Sequence, residues 1–198
     1  MNRAQSGSAD TAGQILDAAE RLVQVNGFNG FSYADVAAEL SLTTAALHYH
    51  FSGKAALGRA LIDRYAARFG AALERIDREQ PTAPEKLRAY ATLYGEVLRE
   101  DRMCLCGMLA AEYQTLPEPM QEAVIGFFDA NETWLAWVLK SGVEAGLLSF
   151  TGPAEDTARM LVGALEGAML IARPYRDVAR FQATAQQLLA TLAARPAG

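Results

Sequence analysis

Between residues 10 and 26 apolar side chains recur at helical spacing, with Ile15, Leu16, Ala19, Leu22 and Val23 on one stripe and Gly27 as a stop. A short helix is predicted to open at Ser32. Its hydroxyl is placed to cap, Asp35 stands three residues on, and Val36, Ala37 and Leu40 form the inner face. Residues 41–44 read as a tight turn with Thr43 as the cap of a third helix over residues 44–50, which turns Ala46, Leu47 and Phe51 inward. A much longer helix follows, capped by Ser52 or Gly53. It runs through Leu57, Leu61, Tyr65, Phe69, Leu73 and Ile76 and ends before Pro81 and Pro84. Further helices are predicted over residues 84–99, 103–115, 117–145, 153–172 and 177–194, with Gly146 and the Arg173-Pro174-Tyr175 segment as breaks. No alternating run is long enough for a sheet. The pattern therefore predicts an all-α chain of about nine helices without internal repeats.

Composition fits this picture and narrows the class. The chain has 198 residues, 51% hydrophobic and 21% charged, enough for one good core or two modest ones. No stretch reaches the roughly 18 apolar residues of a membrane span, and the N-terminus lacks the apolar run of a secretion signal, so no membrane association and a cytoplasmic location are expected. The formal charge is −5, which counts against the whole surface acting as an electrostatic glue for nucleic acid. Residues 1–66 carry five basic against six acidic side chains, net −1, and the remainder carries −4.

The segment from Ser32 to Phe51 nevertheless meets the needs of a DNA-reading helix-turn-helix, namely a short helix with small or hydrogen-bonding residues in its first turn, backed by a support helix. Thr43, Thr44, Ala45, His48 and Tyr49 fall on the outer face of the third helix. Their hydroxyls and imidazole can bond phosphates, and the short Thr44 and Ala45 allow close approach to base edges. Ser32 and Tyr33 at the second helix and Lys54 at the fourth are further candidates, together with the backbone N–H groups of the helix N-termini near Ser32 and Gly53. Periodicity alone leaves the segment a pair of short helices, since Thr, His and Tyr on an exposed face often do nothing.

The run from Gly27 to Leu57 closely resembles the signature of tetracycline-repressor (TetR-type) transcriptional regulators. The resemblance rests on Gly27-Phe28 before the second helix, Asp35-Val36-Ala37 within it, Leu47 with Phe51 in the third helix, and Lys54 with Leu57 in the fourth. Two positions depart from the family's usual pattern: His48 precedes Tyr49 where Tyr commonly precedes His, and Thr44 stands where a basic residue is frequent. The resemblance implies a ligand-responsive regulator, a homodimer on a palindromic double-stranded operator, with a repressor expected. A small molecule in the C-terminal domain would move the fourth helix and change the separation of the two recognition helices, which must match groove repeats roughly 34 Å apart. The implied division is 1–53 for DNA binding, 54–80 for a connecting helix, and 81–198 for effector binding and dimerisation.

Within that C-terminal part the residues expected to enclose an effector are Tyr94, Cys104, Met108, Phe127 and Trp134, although an aromatic and methionine set at helical spacing is more often core. The segment from Met103 to Glu112 also resembles a Gly-Cys-Leu-x-Gly-x-Leu-x-x-Glu pattern in one branch of the family. This raises an alternative, a thiol-based electrophile or redox sensor using Cys104 or Cys106, with Arg99 and Arg102 near enough to favour a thiolate. An inert packing role is the commoner fate of a cysteine, and the C-x-C spacing on a helix disfavours a bridge between the two thiols. Gly163, Ala164, Gly167 and Ala168 permit close helix approach, which suits a dimer interface. No cofactor or metal site is expected, and no catalytic set: His48 and His50 diverge on a helix, and the cysteines lack zinc spacing. A helical adaptor without DNA binding is the remaining alternative and leaves the head motif unexplained.

Overall fold

A computed structural model describes the backbone of residues 3–194 and the side chains of residues 10–194. Among these residues there are nine α-helices: α1 (Arg3–Asn26), α2 (Tyr33–Leu40), α3 (Thr44–His50), α4 (Lys54–Glu79), α5 (Ala83–Arg99), α6 (Leu105–Ala111), α7 (Glu118–Glu144), α8 (Ala154–Ala172) and α9 (Val178–Ala190). Short 3₁₀ turns lie at Tyr113–Thr115 and Arg173–Tyr175. The chain folds as two compact units. Among the described residues, one comprises residues 3–66 with 105–125, the other residues 67–104 with 126–194. The segment 105–125, distant in sequence, thus belongs with the helix-turn-helix.

The core of the first unit is built from Ile15, Ala19 and Val23 of α1, Val36 and Ala37 of α2, Leu47 of α3, Leu57 and Leu61 of α4, and Leu105 and Leu109 of α6, all nearly inaccessible. Burying such side chains, at about 25 cal/mol per Å² of apolar surface, is what holds helices too short to be stable alone. In the second unit α5, α8 and α9 pack together, around Leu87, Tyr90, Tyr94, Leu161, Leu165, Met169 and Phe181.

Several boundaries differ from the sequence-based expectation for identifiable reasons. Helix α1 begins at Arg3, seven residues before the start expected at residue 10. The helix predicted over 103–115 is broken: α6 stops at Ala111 and a 3₁₀ turn follows. Glu112 turns its carboxylate onto the backbone of Phe28 and Asn29, and the Thr115 hydroxyl bonds back to the Glu112 carbonyl at 2.8 Å. Helix α6 also starts only at Leu105, so Cys104 precedes the helix rather than lying on it. Helix α9 ends at Ala190 instead of 194, because the chain leaves it to pair with residues 147–149, with Ser149 N–H donating to the Leu192 carbonyl at 2.9 Å and a single bridge between Leu148 and Ala193.

Candidate nucleic-acid interface and buried polar cluster

Helix α2 starts where a complete capping box allows it. The Asp35 N–H donates to Ser32 Oγ, and Asp35 Oδ2 accepts from the Ser32 backbone N–H at 2.6 Å. The Ser32 hydroxyl and backbone hold the Asp35 carboxyl below the usual range. The turn into α3 passes through Ser41 in the left-handed region (φ 54°), its N–H and that of Leu42 returning to the last carbonyls of α2. Thr43 then caps α3, accepting from the Ala46 N–H at 3.2 Å. Leu47 is the buried anchor of α3. Around it Ser32, Thr43, Thr44, Ala45, His48 and Tyr49 are exposed, with Tyr49 at 82% the most accessible of the large apolar side chains. The structure therefore brings these six sequence-derived residues to the surface of the helix-turn-helix.

The other two stand differently. Tyr33 is half-buried. Its ring lies against His48 with centroids 4.8 Å apart, and its hydroxyl donates to the Phe51 carbonyl at 3.1 Å, bracing the exit of α3; burial pushes its phenol pKa up. Lys54 corrects the expectation of an outward phosphate contact. Its ammonium is turned inward, donating to the Phe31 carbonyl and standing 4.7 and 4.4 Å from the ring centroids of Phe28 and Phe31. Desolvation accordingly lowers its pKa, with Glu112 and Asp35 acting in the opposite direction. The remaining described cations of this unit are likewise engaged: Arg21 with Glu39, Arg59 with Asp63, and Arg64 with Asp17 and Glu20. The exposed face of α3 carries no Lys, Arg, Asp or Glu.

In the second unit, three of the residues expected around an effector, Tyr94, Cys104 and Phe127, are buried, and Trp134 is half-buried. They belong to one aromatic and polar cluster. Phe69 sits edge-on to Tyr90, Tyr94 and Phe127 at centroid distances of 6.0, 6.1 and 5.2 Å, and Trp134 stacks on Tyr90 at 5.7 Å. The indole N–H of Trp134 is fixed by Asp77 at 2.9 Å. Met108 lies half-buried on α6 in the first unit.

Three residues of the cluster were not singled out from sequence as site residues. Tyr90 donates to Asn131 Oδ1 at 3.1 Å, which leaves the Tyr94 hydroxyl, 3.0 Å away, to donate to Tyr90; burial raises both phenol pKa values. Both carboxylate oxygens of Glu166 of α8 are buried, with the Cys104 thiol as a polar neighbour. Burial pushes its carboxyl up to about 7, while the Cys104 thiol pulls the other way. The signal for Glu166 was present in the sequence as a single acid inside the apolar run from Leu161 to Ala172. Neither cysteine is bridged and both are buried, Cys104 at 1% and Cys106 at 0%. The accessible thiolate that a sensing role demands is therefore not offered.

Comparison with known proteins adds the class to this geometry. Residues 15–61 match the family model for bacterial regulatory proteins of the tetR family, and residues 83–188 match the tetracyclin repressor-like C-terminal domain. The chain belongs to the TetR family. A TetR-family transcriptional regulator from Agrobacterium tumefaciens is 31% identical, with a TM-score of 0.91, covering 94% of this chain and 100% of that one. A TetR regulator from Legionella pneumophila is also 31% identical, with a TM-score of 0.80 over 90% of this chain and 95% of that one. The transcriptional regulator AcuR of Cereibacter sphaeroides is 24% identical over 151 residues, 74% of this chain and 69% of AcuR. As a TetR-family member, this chain is a ligand-responsive DNA-binding transcriptional regulator with an N-terminal helix-turn-helix and a helical C-terminal domain. No described helix is long and apolar enough to cross a membrane.

Proposed function

We propose that the protein is a cytoplasmic homodimeric repressor that reads a palindromic operator with α3 and releases it when a small molecule occupies the C-terminal domain. The observation that carries this reading is the exposed face of α3, which offers hydroxyls and an imidazole and no Lys, Arg, Asp or Glu. Thr43, Thr44, Ala45, His48 and Tyr49 stand on a short helix anchored by Leu47 and capped at its entry, and Ser32 opens the supporting helix. Thr44 and Ala45 are short enough for base-edge contact, while the hydroxyls and His48 reach phosphates. Tyr33 contributes by bracing His48.

The effector site we place at the cluster of Tyr90, Tyr94, Cys104, Phe127, Trp134 and Glu166. Its support is the buried Glu166 carboxylate, which a weakly hydrogen-bonding thiol leaves under-satisfied, since such a polar group in a native interior calls for an explanation and a bound ligand supplies one. Dimerisation we place on α8, whose outer stripe of Met160, Gly163, Gly167 and Leu170 is exposed. A Cβ added at either glycine would meet nothing within 4 Å, so the stripe is open to a second helix.

The test is a fluorescence titration of the purified protein against the DNA flanking its own gene, compared with a random duplex. Wild type is expected to prefer one site. Thr44→Ala and Tyr49→Ala are each expected to weaken that site about tenfold without changing the melting temperature, because both side chains are exposed. Equal affinity for operator and random DNA in wild type would reject the proposal.

A further inference from the structure

Residues 27–31, between α1 and the cap of α2, are gripped from two sides by charges of opposite sign. The Glu112 carboxylate accepts the backbone N–H of Phe28 at 2.5 Å and that of Asn29 at 3.3 Å. Beside it, Asn29 Nδ2 donates to Thr115 Oγ1 at 2.7 Å. From the other side the Lys54 ammonium takes the Phe31 carbonyl and lies over both phenylalanine rings of the segment. Gly27 makes this approach feasible, because its φ of +82° favours glycine and a Cβ there would stand 2.7 Å from Glu112 Oε1.

Charge-assisted bonds from a carboxylate to main-chain N–H groups are about twice as strong as neutral ones. Here they fix the backbone of a segment whose Phe28 and Phe31 rings are buried and whose next residue is Ser32, the cap of α2. We propose that Glu112, opposed by Lys54, is a positioning residue for operator binding: it sets the direction in which α2, and with it α3, leaves α1. The inference rests on the reading of α3 as the DNA-reading helix. Because Glu112 directly follows α6, the pose of the helix-turn-helix depends on where α6 lies. When the grip is lost, residues 28 and 29 move more freely and α3 meets the groove in register less often. Non-specific contact with phosphates does not need that register and is retained.

The experiment measures affinity for the operator and for a random duplex by fluorescence anisotropy, with amide hydrogen exchange at Phe28 and Asn29, in wild type, Glu112→Gln and Asn29→Ala. For Glu112→Gln, operator binding is expected to weaken about tenfold. Random-duplex affinity should stay within about twofold, exchange at residues 28 and 29 should quicken, and the thermal midpoint should fall by no more than a few degrees, leaving the protein fully folded at the assay temperature. Asn29→Ala, an exposed change, is expected to act in the same direction by a few-fold. Glu112→Gln with wild-type specificity despite faster exchange would overturn the proposal, as would operator and random affinities falling together with the folded fraction. If Glu112→Gln does not fold, Asn29→Ala decides alone, and an unchanged ratio of operator to random affinity overturns it. A wild type without any site preference removes the DNA reading and this inference with it, whereas a specific wild type with an indifferent Glu112→Gln removes only the inference.

Discussion

Glu166 shows how one side chain links burial to behaviour in solution. Its folded carboxyl titrates near 7 against an ordinary value of 4.5, so the native state holds a proton that the unfolded chain has lost between those pH values. The sign follows: the contribution of Glu166 to stability is fully present below about pH 4.5 and is lost as pH rises to about 7, an effect of up to about 3 kcal/mol. Glu166→Gln is therefore expected to raise the melting temperature at pH 8 and to leave it nearly unchanged at pH 4.5. Equal shifts at both pH values, read by thermal melts, would contradict the burial account. Legibility at this scale was uneven. The exposed Thr43, Thr44, His48 and Tyr49 were readable because helical spacing alone fixes a face. The inward turn of Lys54 was not, since it depends on two aromatic rings and a carbonyl more than 20 residues back, and Glu112 serves a loop 84 positions away.

Among the elements, α2 and α3 were legible to within a residue because their signals are local: a capping serine, an acid three positions on, a capping threonine and one apolar anchor each. Ser32→Ala removes the Oγ that accepts the Asp35 N–H and is expected to cost about 1 kcal/mol of stability. Chemical denaturation checks this, and a loss under a few tenths of a kcal/mol would mean that the backbone half of the box suffices. The elements that were misread are those ended by distant partners. Helix α6 gives way where Glu112 is committed to α1's exit, and α9 where residues 192–194 pair with residues 147–149. No period in the local sequence carries either event. Gly58 is a case of the same kind. A Cβ there would meet Met120 Sδ at 2.5 Å and the Phe28 ring at 2.8 Å, a close approach that only the assembled unit explains.

At the scale of the molecule, the family and its two-domain plan were readable from the first third of the chain, but the grouping of residues 105–125 with the helix-turn-helix was not. The assembly that operator binding requires adds a prediction of its own. Gly167→Glu sets a charge on the outer stripe of α8 at a position where a Cβ meets nothing, so the fold should persist while the dimer does not. Sedimentation is expected to give the monomer mass, with operator affinity reduced about a hundredfold as the two half-sites uncouple; a dimer of undiminished affinity would place the interface elsewhere. Charge distinguishes the proposed mode of reading most sharply. The chain carries −5, and the described cations of the helix-turn-helix unit are engaged within it, so on the proposed reading hydroxyls and helix N-termini meet the phosphates. The decisive measurement is operator affinity of wild type as a function of salt. Site-specific binding with a slope of log K against log salt shallower than about −5 per dimer is predicted, and either no site preference or a slope steeper than about −8 would contradict a reading face without Lys or Arg.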